Sequence, residues 1–582
     1  LRKGPEDYFI LEIITTGPDP QTAIPLEAAA LRLSGGEEAE SLSVLADPGV
    51  PVSACLLERS GRSEEDFRQG LTPAEALSAI CQFMRGGAAL AHDAAEMESV
   101  LLERFRATHA GPLLDTRELA WLAAPYLRDH SLHSLAASLL GETPTWKALD
   151  DARLLLRILA RLSEAWKENP ARTRRAILGA LDEAQSPWLS FLGKGGGHPL
   201  FPDLAELIPS LDRGKPFPSG ASARDEGAGL DEVKVNPEEV SSLLGPRGPL
   251  AALRPDHEGR PQQAAMAEAV ASAMNDAAFL VVEAGTGIGK SLAYLAPGVL
   301  HCAAGKGPLL VSTYTRHLQE QLFHRDLPLL ARALGSLDYC LLKGRNNYLC
   351  LRKWSEWCRS LREGNPTLEF GETPSSLSYA FLASWISRTT SGDLEEIPLL
   401  LHLRLQGLIG ALASGHEDCL RPHCRMQSRC WVERARRLAA SSQVVVINHA
   451  LLLSQAWVAE SAPGNAVLPD FRLLVVDEAH HLEDVATEAL TLSVSLRDCL
   501  KSLEETVGPR GILARCGRLS LDQEGMNMIS EAHRESEEAA HEVEELFFER
   551  VRPLLPSPPG GRAGKETVRH RLNREVMVEP SW

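Results

Sequence analysis

Residues 279–291 read Phe279-Leu280-Val281-Val282-Glu283-Ala284-Gly285-Thr286-Gly287-Ile288-Gly289-Lys290-Ser291, and Leu292 to Val299 can continue as a helix. Apolar strand, glycine loop, then helix is the context a phosphate-binding loop requires. Glycines let backbone N–H groups turn inward around phosphates, and the helix N-terminus adds a favourable dipole. In that pattern Lys290 reaches the β- and γ-phosphates and the Ser291 hydroxyl sits on Mg²⁺. Ala284 stands where the strict pattern has glycine. A second buried-strand pattern, Leu473-Leu474-Val475-Val476, runs into Asp477-Glu478-Ala479-His480. Asp477 then lies at a strand's carboxyl edge, where ligands gather in open α/β sheets. There it is expected to hold Mg²⁺, with Glu478 polarising the attacking water. Together the two segments imply a nucleotide hydrolase.

Around them, 582 residues allow several domains with cores of their own. No cationic segment followed by an apolar stretch opens the chain, and no run of 18 apolar residues occurs. Secretion and membrane spanning are therefore not expected. Eleven cysteines in so long a chain do not read as a disulfide framework, which favours a reducing cytoplasm. The net charge of −18 argues against general nucleic-acid affinity. Local charge differs: Arg421, Arg425, Arg429, Arg434, Arg436 and Arg437 face a single acid, Glu433.

From Arg260 onward, short apolar strands (279–283, 308–312, 444–448, 473–476) alternate with helical patterns, the signature of a parallel sheet. An insert interrupts this alternation and carries Cys350, Cys419, Cys424 and Cys430, spaced C-x68-C-x4-C-x5-C. Four thiolates can ligate Zn²⁺ or a [4Fe–4S] centre, and spacing alone does not separate the two. Cys340 and Cys358 are nearby decoys.

The insert opens Lys343-Gly344-Arg345-Asn346-Asn347-Tyr348-Leu349-Cys350, and Val444 to Leu452 follows the last cysteines. Both stretches resemble the DinG-type branch of the superfamily 2 helicases, relatives of the XPD repair helicase. Arg260 to Met266 resembles the family's adenine-reading Q motif, with Gln263 as reader. Ser312-Thr313-Tyr314-Thr315 and Leu318-Gln319-Glu320-Gln321-Leu322 resemble motif Ia, which in the family meets the DNA backbone. The resemblance implies ATP and Mg²⁺ as cofactors, a nucleotide site of Gln263 and residues 284–291, and a catalytic set of Lys290, Asp477, Glu478 and His480. It also implies a [4Fe–4S] cluster on the four cysteines. Beside that cluster the arginines would form a basic wall for single-stranded DNA.

The first 160 or so residues form an α/β pattern that resembles the DnaQ-like 3′–5′ exonucleases, an RNase H-like fold. Those enzymes need acidic residues around two metal ions and a histidine that deprotonates water. Their first motif appears here as Glu12-Ile13-Ile14-Thr15-Thr16-Gly17, their second as His92 to Met97, and their third as Trp146-x4-Asp151. Ile14, Met97 and Trp146 thus occupy positions where the family has carboxylates and a histidine. Apolar side chains do not ligate a hard cation. Glu98, one place along, is expected to point elsewhere. The expectation is a nuclease fold without nuclease activity.

The fold class expected is α/β: a DnaQ-like domain (1–165), a connector (166–250), a RecA-like motor lobe (251–343 and 436–485) with a cysteine insert (344–435), and the start of a helical arch (486–582). No second motif set follows Asp477-Glu478-Ala479-His480, and the chain opens on Leu1, so a fragment of a longer helicase is expected, one that unwinds poorly alone. The function expected is a 5′→3′ DNA helicase acting on single-stranded and duplex DNA. The alternatives are an active 3′–5′ exonuclease and a nucleotide-gated single-strand DNA-binding module.

Overall fold

The computed structural model describes residues 8–94, 98–193, 201–208, 234–253, 259–285, 287–305, 307–364, 373–415, 418–461, 468–490 and 523–546. Met97 and Thr286 lie outside them, as do the Pro/Gly-rich part of the connector and most of the expected arch. The chain is α/β and falls into two compact units, residues 1–482 and 483–582. In the second unit the principal described element is an acid-rich helix, Gln523–Leu546.

The first unit contains two sheets. β1 (Tyr8–Thr15), β2 (Pro25–Ser34), β3 (Glu37–Leu45), β4 (Ala88–Ala91) and β5 (Leu113–Asp115) form a five-stranded sheet in the order β3-β2-β1-β4-β5. β1 runs antiparallel to β2 and parallel to β4. Side chains alternate between faces along a strand. Phe9, Leu11 and Ile13 accordingly join Leu77, Ile80 and Met84 of the helix Pro73–Met84. Ile10 faces the other way, toward Leu155, Ile158 and Leu159 of the helix Ala148–Glu168. Three fully buried alanines, Ala28, Ala29 and Ala30, keep β2 thin enough for helices on both faces. The edge strand β3 is solvent-facing and carries Glu37, Glu38 and Glu40, which discourages edge pairing.

The second sheet is parallel: β6 (Leu309–Thr313), β7 (Tyr339–Leu341), β8 (Val444–Asn448) and β9 (Leu473–Val476), in the order β7-β8-β6-β9. Leu309, Val311, Val444 and Val446 pack on the helix Lys290–Ala303. Gly298 permits that approach, because a Cβ there would lie 2.6 Å from Leu309 Cδ2.

One expected strand is absent. Residues 279–283 are not in a strand, and Phe279 and Val281 are almost wholly exposed. Apolar composition favours burial, but a strand exists only in a hydrogen-bonded pair. Among the described residues nothing pairs with this segment, and β9 pairs only with β6.

The largest core crosses the segments that the sequence separates. It joins Ile10 and Leu155 of the first sheet region, Trp188 and Phe201 beyond it, and Trp354, Phe381, Trp385 and Trp431 of the cysteine insert. At its centre is the helix Ser375–Ile386, buried on every side from Ser378 to Ile386. Ser384 Oγ donates to the Leu122 carbonyl at 2.7 Å, and Phe381 meets Trp121 edge-on at 5.4 Å. Arg404 donates to Glu118 at 2.6 Å and lies over both of those rings.

Candidate nucleotide site and its neighbours

The glycine loop enters the helix Lys290–Ala303 through Gly289, whose φ of 91° a residue with a Cβ rarely adopts. A Cβ at Gly289 would lie 2.2 Å from Gln263 Nε2. Gln263 is buried and donates from that nitrogen to the Gly289 carbonyl at 2.8 Å. Arg260 donates to the Gly287 carbonyl. Both residues of the expected adenine-reading stretch therefore grip the loop backbone.

The second motif is held from β6. Asp477 N donates to the Ser312 carbonyl at 2.8 Å, and Ser312 Oγ bonds His449 Nδ1 at 2.7 Å. Glu478 adopts a left-handed conformation, φ 54°, which turns its side chain back toward the loop. Lys290 Nζ donates to Glu478 Oε1 at 2.9 Å, joining positions 188 residues apart in sequence. That bond holds the Glu478 carboxyl below its ordinary range. Burial pushes Asp477 up. His480 Nδ1 lies 3.5 Å from Glu478 Oε2 and is largely exposed.

Sequence reasoning missed Tyr294. Its buried hydroxyl donates to Asp477 Oδ2 at 3.0 Å. Burial, with Asp477 next to it, holds this phenol far above its ordinary range, so it stays protonated. The hydroxyl of Ser291 and the carboxylate of Asp477, which Tyr294 holds in place, are oxygen donors of the kind Mg²⁺ prefers.

In the insert, Cys350 and Cys430 immediately precede the helices Leu351–Arg362 and Trp431–Ser441. Burial pushes the Cys430 thiol up, with Cys350 and Cys419 close enough to add to the shift. Cys340 and Cys358 are buried in cores. Arg345 and Arg421 press on the largely buried Arg436 and lower its pKa after burial itself. Among the described residues no three His, Cys, Asp or Glu side chains surround a point fit for a single metal ion.

The exonuclease-like site differs from its expectation at Glu98. Rather than pointing away, Glu98 is buried close enough to Glu12 for that charge to raise its pKa further, after burial. Glu98 caps the helix Ser99–Arg104 with helical backbone angles of its own, φ −67° and ψ −43°. Burial, then Asp151, raises Glu12 to about 8. Asp151 accepts from the backbone N–H of Thr145 and of Trp146, at 2.7 and 3.0 Å. Trp146 (φ 60°) lies under Arg59 at 5.2 Å and lines an apolar recess with Ile14, Leu26 and Phe67. Ile14 and Trp146, apolar where the DnaQ-like family has a carboxylate and a histidine, and a carboxylate spent on its own loop do not fit a pair of metal ions.

Comparison with known proteins adds family context. The Exonuclease family matches residues 15–159. The chain is 40% identical over 264 residues to the ATP-dependent helicase DinG of Mycobacterium tuberculosis, covering 43% of this chain and 38% of that protein. It is 27% identical over 497 residues to the 3′-5′ exonuclease DinG of Bacillus subtilis, covering 83% of this chain and 50% of the relative. Among solved structures, E. coli exonuclease I with a dA16 oligonucleotide is 11% identical, covers 28% of this chain and 42% of that one, and has a TM-score of 0.24. The chain thus spans half or less of the length of these curated relatives.

Proposed function

We propose, for a chain that fits a DinG-type helicase joined to an N-terminal exonuclease domain, that residues 251–343 and 436–485 serve as the ATP-hydrolysing lobe of a DNA helicase. The observation that carries this reading is the 2.9 Å bond from Lys290 to Glu478. It joins a phosphate-binding loop to a candidate general base across one cleft. An arriving triphosphate competes for Lys290. When the lysine moves to the phosphates, Glu478 loses the hydrogen bond that lowers its pKa and becomes the stronger base. Binding therefore arms hydrolysis.

Ser291 and Asp477 would hold Mg²⁺, which supplies neutralising charge at the β- and γ-oxygens. Cys350, Cys419, Cys424 and Cys430 would hold a [4Fe–4S] cluster. What supports this is that Cys350 and Cys419 lie close enough to Cys430 to shift its thiol. Burial, then the charges of Arg345 and Arg421, disfavours the charged form of Arg436; an anion would offset this, so the backbone of single-stranded DNA is the proposed ligand there, with 5′→3′ polarity following the family. Residues 1–165 are proposed to lack nuclease activity. The printed name of the Bacillus relative favours an active 3′-5′ exonuclease instead. Ile14 and Trp146, at positions where the DnaQ-like family has a carboxylate and a histidine, weigh against it.

The test is ATP hydrolysis with and without single-stranded DNA, alongside a 3′-end degradation assay in Mg²⁺ or Mn²⁺. DNA-stimulated hydrolysis that Glu478→Gln lowers by about 10²-fold or more, without degradation, is the expected result. Hydrolysis indifferent to both DNA and Glu478→Gln overturns the motor reading. Degradation of 3′ ends overturns the inactive-nuclease reading.

A further inference from the structure

We infer that Tyr294 is a positioning residue for the magnesium site: its phenol holds the Asp477 carboxylate in the orientation a nucleotide-bound cation needs. The inference rests on the nucleotide reading above and assigns a part in it to a side chain outside both motifs. Tyr294 donates its phenol proton to Asp477 Oδ2 at 3.0 Å, which leaves the other carboxylate oxygen for the cation or its water.

The scaffold around this hydrogen bond is rigid. Tyr294 is buried one helical turn beyond Lys290, in the helix Lys290–Ala303, whose apolar side chains pack on β6 and β8. Asp477 is fixed by its backbone bond to Ser312 at 2.8 Å. A phenylalanine keeps the ring and its packing but removes the hydrogen bond to Asp477, whose carboxylate is then free to rotate.

The test compares wild type with Tyr294→Phe in the full chain, titrating a fluorescent ATP analogue at a series of Mg²⁺ concentrations and again in EDTA. Thermal unfolding without nucleotide serves as the folding control. The expected result is an approximately ten-fold rise in the Mg²⁺ needed for half-maximal binding, with affinity in EDTA unchanged. A merely structural tyrosine would weaken binding alike with and without Mg²⁺, and that outcome overturns the inference. So does an unchanged Mg²⁺ requirement. If wild type itself shows no Mg²⁺-dependent binding, the nucleotide reading fails first and the inference falls with it. The two failures are distinguishable because only the second is visible in wild type alone.

Discussion

Glu12 shows how a single substitution pattern rewrites a site. Its pKa is raised to about 8 by burial and by Asp151. A carboxyl raised above its unfolded value of 4.5 binds its proton more tightly when folded. The stability it contributes is therefore full below about pH 4.5 and is lost as pH rises through about 8. Thermal unfolding measured from pH 6 to pH 9 should show a falling Tm, and Glu12→Gln should flatten that fall. A parallel decline in the variant would contradict the assignment. At this scale, contiguous motifs were legible: Lys290, Ser291, Asp477 and Glu478 announce themselves by spacing. Tyr294 and Glu98 were not, because their roles exist only once the helix Lys290–Ala303 and the helix Ser99–Arg104 are packed against other segments.

Among elements, the glycine loop and the helix that follows depend on each other through Gly289. Gly289→Ala places a Cβ on the Gln263 amide at a φ of 91°, adding strain of about 1–2 kcal/mol and breaking the Gln263 lock. The expected outcome is a lower Tm with weaker nucleotide binding, read by thermal shift with and without the ligand. An alanine variant that binds as wild type does would show the lock to be dispensable. Strand positions for β6, β8 and β9 were readable from apolar runs. Residues 279–283 were misread for a physical reason: composition records the wish for burial, whereas pairing depends on a neighbour that the local sequence does not contain.

For the first unit as a whole, the shared core makes the exonuclease-like region and the cysteine insert one folding problem. The helix Ser375–Ile386 has no polar face to expose, so separating the two would uncover Phe381, Trp385 and Trp121 together. Phe381→Ala should cost about 3–5 kcal/mol and shift the unfolding of both regions at once, followed by hydrogen exchange at Ile10 and at Trp354. Independent transitions, with Ile10 unaffected, would contradict this. The sequence marks the two regions as separate because their motifs are separate; core membership is a property of the packed surface that no motif records. The same holds for the nucleotide site, assembled from segments 188 residues apart. Calorimetric titration with a non-hydrolysable ATP analogue and Mg²⁺ tests that assembly most directly. One analogue should bind per chain in wild type, with affinity reduced at least about ten-fold by Lys290→Ala and again by Asp477→Asn. No binding in wild type, or binding indifferent to both substitutions, would contradict the account.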